Sequence, residues 1–209
     1  MRPRRPGPVL IDTTPVCGPL SQIQPLKFQQ VRRTADEPLF NSLIEQHHYL
    51  GYEQPRWGAP QVFSLGARAA SGLSGVEFSA PSPGSRYRFI GWSAEARRRN
   101  IRFLAYNTRF LILSWVEVEH LASHLLARMA KRLSQDWERV YGHPVYFVET
   151  FVDPERFRGT CYRAANWVVL GRAAGRGKND QTNRPNRSIK EVLGYPLERR
   201  FRQLLQEAG

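Results

Sequence analysis

Over residues 118–139 the apolar side chains Val118, Leu121, Leu125, Met129 and Leu133 recur at steps of three and four, with Arg128, Lys131, Arg132 and Glu138 between them. That stripe predicts an amphipathic helix, the strongest in the chain. A second helix is predicted over 38–50: Leu39, Leu43, Ile44 and Leu50 repeat at helical spacing, Asp36 and Glu37 precede a proline suited to a first turn, and Gly51 can end the run. Residues 145–152 are β-branched and aromatic enough for a buried strand, and Asp153-Pro154 after them predicts a capped short helix through Ala165. Strands are predicted at 26–31, 86–92, 167–171 and 190–197, a longer one at 101–113 interrupted by Tyr106–Arg109, and a closing amphipathic helix at 197–207. Strands alternating with helices, and an antiparallel end, predict an α/β (α+β) fold: a mixed sheet flanked by helices in a single domain over 23–209. Residues 1–22, rich in Pro and Arg, read as a flexible lead.

Residues 51–85 break the pattern. Of these 35 positions, 21 are Gly, Pro, Ser or Ala, and neither a two-residue nor a 3.6-residue period survives, so the segment reads as an irregular loop unusually long for a domain interior.

Composition sharpens the picture through charge. The 209 residues carry 31 Lys+Arg against 18 Asp+Glu, a formal net charge of +13. All but Lys27, Lys131, Lys178 and Lys190 of the positive side chains are arginines, whose planar fork suits phosphate or carboxylate. Residues 151–209 hold twelve positive groups against six negative and form the expected electropositive surface. No apolar run is long enough to span a bilayer, and nothing near the N-terminus extends into the apolar core of a signal peptide, so the cytoplasm is the expected compartment. Two cysteines, Cys17 and Cys161, cannot supply a four-ligand zinc site.

The runs Leu43–Tyr52, Phe89–Trp92, Tyr106–Leu113, His120–His124, Glu149–Asp153, Gly159–Trp167 and Gly175–Lys178 together resemble the DruA-like family, found in Druantia anti-phage systems and beside bacterial insertion sequences. The resemblance implies a role in phage defence or mobile elements and carries no assigned reaction. It also implies a strand hairpin where 51–85 lies. The length there is right and the residues are wrong, as two compensating frameshifts would leave them. The coding DNA for 53–86, read in the other frames, should then restore an alternating strand pattern; failure in both frames refutes this. The element order further resembles the GNAT-type N-acetyltransferases, which cradle an acyl-CoA pyrophosphate on a Gly-rich turn opening a helix. The corresponding residues 114–120 contain no glycine and two carboxylates, Glu117 and Glu119.

The candidate catalytic residues are Glu149, Asp153 and Tyr162. Glu149 and Asp153, at the end of an apolar strand, could hold Mg²⁺ for phosphodiester cleavage, or Glu149 could act as a base; equally, Asp153 is a helix cap and Glu149 pairs with an arginine such as Arg163 or Arg109. Tyr162 with Asn166, and Arg163 with Trp167, are spaced to share faces of a short helix, suited either to a nucleotide or to packing with a helix-sheet ion pair. His120 and His124 form His-x-x-x-His but lack further ligands, so no metal residue is assigned. Glycines and cations in the 171–187 loop, Arg176, Lys178, Arg184 and Arg187, together with Arg97, Arg98 and Arg99, fit phosphate contact. The expected partner is nucleic acid, DNA foremost, with protein partners from a defence or transposition system. The rivals are a GNAT-like acyltransferase and a non-catalytic scaffold.

Overall fold

The computed structural model describes residues 5–53, 61–65, 70–78, 84–173, 175 and 188–207. Its chain falls into two compact units, Met1–Glu77 with Asn107–Leu125, and Phe78–Tyr106 with Leu126–Gly209. The class is the mixed α/β arrangement expected from the sequence.

The first unit holds β1 (Val16–Gly18), β2 (Lys27–Gln30), α1 (Glu37–His47), β3 (Gln61–Leu65), most of β4 (Ala70–Phe78) and β6 (Val116–Val118). Helix α1 starts at Glu37 with Pro38 in its first turn and buries Leu43 and Ile44 of the predicted stripe together with Phe40, which the stripe did not include; Leu50 lies past its end and is exposed. The strands β2, β3 and β4 run antiparallel in that order, with Phe28 opposite Ser64 and Val62 opposite Ser74. The hairpin that the family resemblance implies is therefore present within 51–85, which corrects the expectation of an irregular loop throughout. Residues 54–60, 66–69 and 79–83 of that stretch lie outside the described residues. Period fails there because hairpin pairing satisfies the backbone whatever the side chains are. The N-terminal lead also departs from its expectation: β1 pairs in parallel with β6, Val9 donates its amide to Ser42 Oγ at 3.1 Å, and Arg5 meets Glu45 at 3.3 Å.

The second unit holds α2 (Gly84–Ile90), α3 (Ala94–Asn100), β7 (Phe147–Val152), α5 (Thr160–Ala164), β8 (Val168–Arg172), β9 (Glu191–Pro196), α6 (Phe201–Glu207) and most of α4 (Leu121–Tyr141). Strand β5 (Leu104–Ile112) begins here and continues into the first unit; it is one uninterrupted strand, entered through a 3₁₀ turn at Ile101–Phe103. The order is β5-β7-β9-β8. β5 and β7 are parallel over three positions, Leu104–Tyr106 against Phe147–Glu149, while β7, β9 and β8 are antiparallel.

The segment expected as a strand at 86–92 is instead α2. Its Arg-Tyr-Arg-Phe alternation imitates a strand, but Arg86 and Ile90, four apart, are buried along with Ser85, and Gly91 (φ 79°) closes the helix with its N–H on the Tyr87 carbonyl. One core cluster joins the sheet to α2, α3 and α6 through Leu104, Phe147, Ile90, Ala96, Phe201 and Leu205. Asn100, buried at the end of α3, donates to the Leu205 carbonyl at 2.8 Å, so α3 and α6 are tied by a polar bond as well as by packing. Gly194 on β9 leaves room for the Phe147 ring, into which a Cβ would collide.

Candidate functional site

Side chains alternate along β7, so Phe147, Glu149 and Phe151 share one face. Phe147 on that face meets the α2/α3/α6 cluster, and Glu149 lies two residues further on, 1% exposed. A carboxylate there is costly without a partner. The first turns of α2 supply one: Arg86, 0% exposed, donates from Nη1 to Glu149 Oε1. The partner expected among Arg163 and Arg109 is thus a third arginine. Arg109 instead donates to the carbonyls of Gly51 at 3.1 Å and Thr108 at 2.9 Å, and Arg163 pairs elsewhere. The sequence hid Arg86 because its segment alternates like a strand; the signal that could have found it is the four-residue step from Arg86 to Ile90.

Asp153 ends β7 but starts no helix: residues 154–156 form a turn, and α5 begins only at Thr160. Its Oδ1 accepts the Glu155 amide at 3.2 Å, its Oδ2 accepts the Ser188 hydroxyl at 3.0 Å, and Arg156 lies 3.9 Å away. Four extended residues separate the two carboxylate positions by roughly 13 Å. With Glu149 bound to Arg86 and Asp153 used on both oxygens, the pair does not fit a shared Mg²⁺ site, and no group of three potential ligands occurs among the described residues. His120 stands before α4 in left-handed conformation (φ 59°), its carbonyl accepting from Ser123 Oγ and the His124 amide, so the two imidazoles do not share a helix face.

Tyr162, Arg163 and Asn166 come together as a helix stop. α5 ends at Ala164, and Asn166 adopts φ 64°, a conformation asparagine tolerates better than most residues. The Trp167 amide donates to the Tyr162 carbonyl and the Asn166 amide to the Arg163 carbonyl, both at 3.0 Å, the double bond of a Schellman cap. Tyr162 and Trp167 seal it edge-to-face at 5.1 Å, and Trp167 leans on Tyr195 of β9. Arg163 spans from helix to sheet, meeting Glu191 at 2.5 Å and the Arg158 carbonyl at 2.7 Å. Tyr162 and Asn166 therefore do not share a helical face, because the helix stops between them.

Arg97, Arg98 and Arg99 occupy the last turn of α3, which Ser93 caps by accepting the Ala96 amide at 3.0 Å. Arg97 lies over the Tyr87 ring at 4.3 Å, Arg99 meets Glu95 at 3.7 Å, and Arg98 is exposed. Arg176, Lys178, Arg184 and Arg187 fall outside the described residues.

In the first unit His48 is half-buried, and its Nδ1 accepts the Leu50 amide at 3.2 Å. Burial and, after it, the charge of Arg109 lower its pKa to about 4, so it is a neutral acceptor at neutral pH.

The element order and the short parallel β5–β7 ladder belong to the GNAT-type acetyltransferase fold. Aminoglycoside acetyltransferase AAC(6')-Ib bound to coenzyme A is similar with a TM-score of 0.52 and 11% identity, over 85% of this chain and 97% of that one. Its complex with paromomycin and acetyl-CoA aligns at 0.52 and 12% identity, over 88% and 99%. Naa50 of Arabidopsis thaliana, bound to a bisubstrate analogue, aligns at 0.50 and 9%, over 81% and 97%. At such identities the likeness shows the fold alone. A search of curated proteins found no matching sequence. The family is nonetheless settled by sequence: residues 12–206 match the family model of the Druantia protein DruA, and the chain belongs to that family.

Proposed function

We propose that this chain is a DNA-binding component of an anti-phage defence system of the Druantia type. The observation that carries the proposal is the last turn of α3, which presents three consecutive arginines with one carboxylate, Glu95, in ion-pair reach. Such a turn neutralises phosphates without reading bases. The loop cations Arg176, Lys178, Arg184 and Arg187 would extend the contact. No cleavage step is included, because Arg86 neutralises Glu149 and Asp153 is committed to its turn. With ~4–6 phosphates engaged, log affinity for labelled DNA should fall against log salt with a slope near roughly −4 to −5. Absent or salt-independent binding rejects the proposal, and a stable protein partner without DNA affinity of the free chain replaces it with a scaffold.

The solved neighbours include complexes with coenzyme A, which keeps acyl transfer as the second reading. It requires backbone N–H groups of a helix start to meet a pyrophosphate. Before α4, residues 116–118 are instead occupied as strand β6, and Glu117 and Glu119 stand exposed beside the turn. Millimolar acyl-CoA should therefore leave the melting temperature unchanged, whereas a bound ligand would raise it. A rise of several degrees would favour acyl transfer.

A further inference from the structure

Two helices packed on one core cluster, α3 and α6, carry with their flanking residues a density of arginine not evident from their separation in sequence. The last turn of α3 and the turn after it bear Arg97, Arg98, Arg99 and Arg102; α6 and the residues leading into it add Arg199, Arg200 and Arg202. Against these seven, the same segments hold only Glu95, Glu198 and Glu207. The segments are neighbours, since Asn100 binds the Leu205 carbonyl, Gln206 donates to the Gly91 carbonyl at 3.3 Å, and Ala96, Phe201 and Leu205 share the core cluster.

Four aromatic rings in or beside that cluster lie under these arginines. Arg97 lies over Tyr87, Arg102 over Phe103 at 4.8 Å, and Arg202 over Phe89 and Phe201 at 4.7 and 4.6 Å. Arg202 is further fixed by its Nε–H on the Phe89 carbonyl at 3.0 Å. Two consequences follow from this layering. A guanidinium held over a ring has lost much of its rotamer freedom before any ligand arrives, which lowers the cost of engaging an anion. Platforms for unpaired bases need open ring faces, and the rings here lie beneath cations or inside the core.

Resting on the DNA-binding reading above, we infer that the α3–α6 arginine face docks the phosphate backbone of duplex DNA, without base readout and in preference to single strands. Arg102, Arg199, Arg200 and Arg202 join Arg97–Arg99 as its contacts. The ligand is recognised by phosphate charge and duplex spacing alone.

The test is fluorescence anisotropy with the full chain on a short labelled DNA duplex, the corresponding single strand and an RNA duplex of the same sequence, across a salt series. Arg98, Arg199 and Arg200 are exposed and lie in no ring contact described above, so R98Q/R199Q/R200Q removes charge from α3 and from the turn leading into α6 with the core untouched. It should weaken duplex binding at least about tenfold and make the salt slope shallower by roughly 2 to 3. R98K/R199K/R200K should keep the parent slope, which separates lost charge from lost fold. K131Q/R132Q/R139Q, an equal charge change on α4, should leave the slope alone. The parent chain should hold the DNA duplex more tightly than the other two probes. Equal losses in the α4 variant, an unchanged slope in the glutamine variant, a shallow slope in the lysine variant, or tighter binding of single strands or RNA would each overturn the inference while DNA binding itself stands. A parent chain that binds no DNA overturns the DNA-binding reading as well.

Discussion

Arg86 and Glu149 are buried as an ion pair, with Arg86 also donating from Nη2 to the Tyr87 hydroxyl at 3.2 Å. Removing one partner of a buried pair strands the second, a loss of about 3–5 kcal/mol, whereas replacing both with apolar residues can be neutral. Glu149→Gln should therefore lower stability in urea denaturation by an amount of that order, and R86M/E149L should regain most of it. A Glu149→Gln chain as stable as the parent, yet deprived of a DNA-processing activity that the parent shows, would return this carboxylate to chemistry. His48 offers a second residue-scale test. Its folded pKa of about 4 lies below its ordinary value of 6.5, so the unfolded chain binds more protons between those limits. The stability His48 permits is thus complete above pH 6.5 and is lost as pH falls towards 4. Melting temperatures measured over that window should decline for the parent and decline less for His48→Gln; parallel curves would show that the imidazole is not responsible.

Among the elements, the stop of α5 makes the sharpest prediction. Asn166 is held in left-handed conformation, where glycine is at ease and alanine is strained. Asn166→Gly should leave the melting temperature close to the parent's, and Asn166→Ala should cost about 1 kcal/mol. Loss of DNA affinity in the glycine variant at unchanged stability would instead assign the amide to a ligand. The same elements show what could be read from the sequence. Helices α1 and α4 were legible because their apolar stripes face a core, and β7 because it is buried along most of its length. Helix α2 was not, because two arginines with opposite fates, Arg86 buried and Arg88 exposed, mimic strand alternation. The hairpin β3–β4 was hidden because main-chain pairing needs no side-chain period, and five of the nine residues of β4 are Gly, Ser or Ala. The Tyr162–Asn166 spacing was read as one helical face, and only the backbone reveals that the helix ends between the two.

For the molecule as a whole, the net charge of +13 has acquired an organisation that a linear count does not convey. Arginines from residues 97–102 and 199–202, a hundred positions apart, are brought to one core cluster, so the positive field depends on tertiary structure and should vanish on unfolding as a docking surface even though the charge remains. Sequence alone placed the family and the fold, and it named Arg97–Arg99. It could not place Arg102, Arg199, Arg200 and Arg202 beside them, since that adjacency exists only after α6 packs on α3.

Strand β8 closes one end of the strand order, paired with β9 on one side and with no described strand on the other. Its register against β9 shifts between Val169 and Gly171, and Val168 and Val169 are 42% and 44% exposed. An edge strand that no described strand covers, with adjacent exposed valines, is a template for another chain. Concentrated solutions should therefore lose monomer to slow aggregation, visible as rising light scattering on storage, and Val169→Lys should suppress it without lowering the melting temperature.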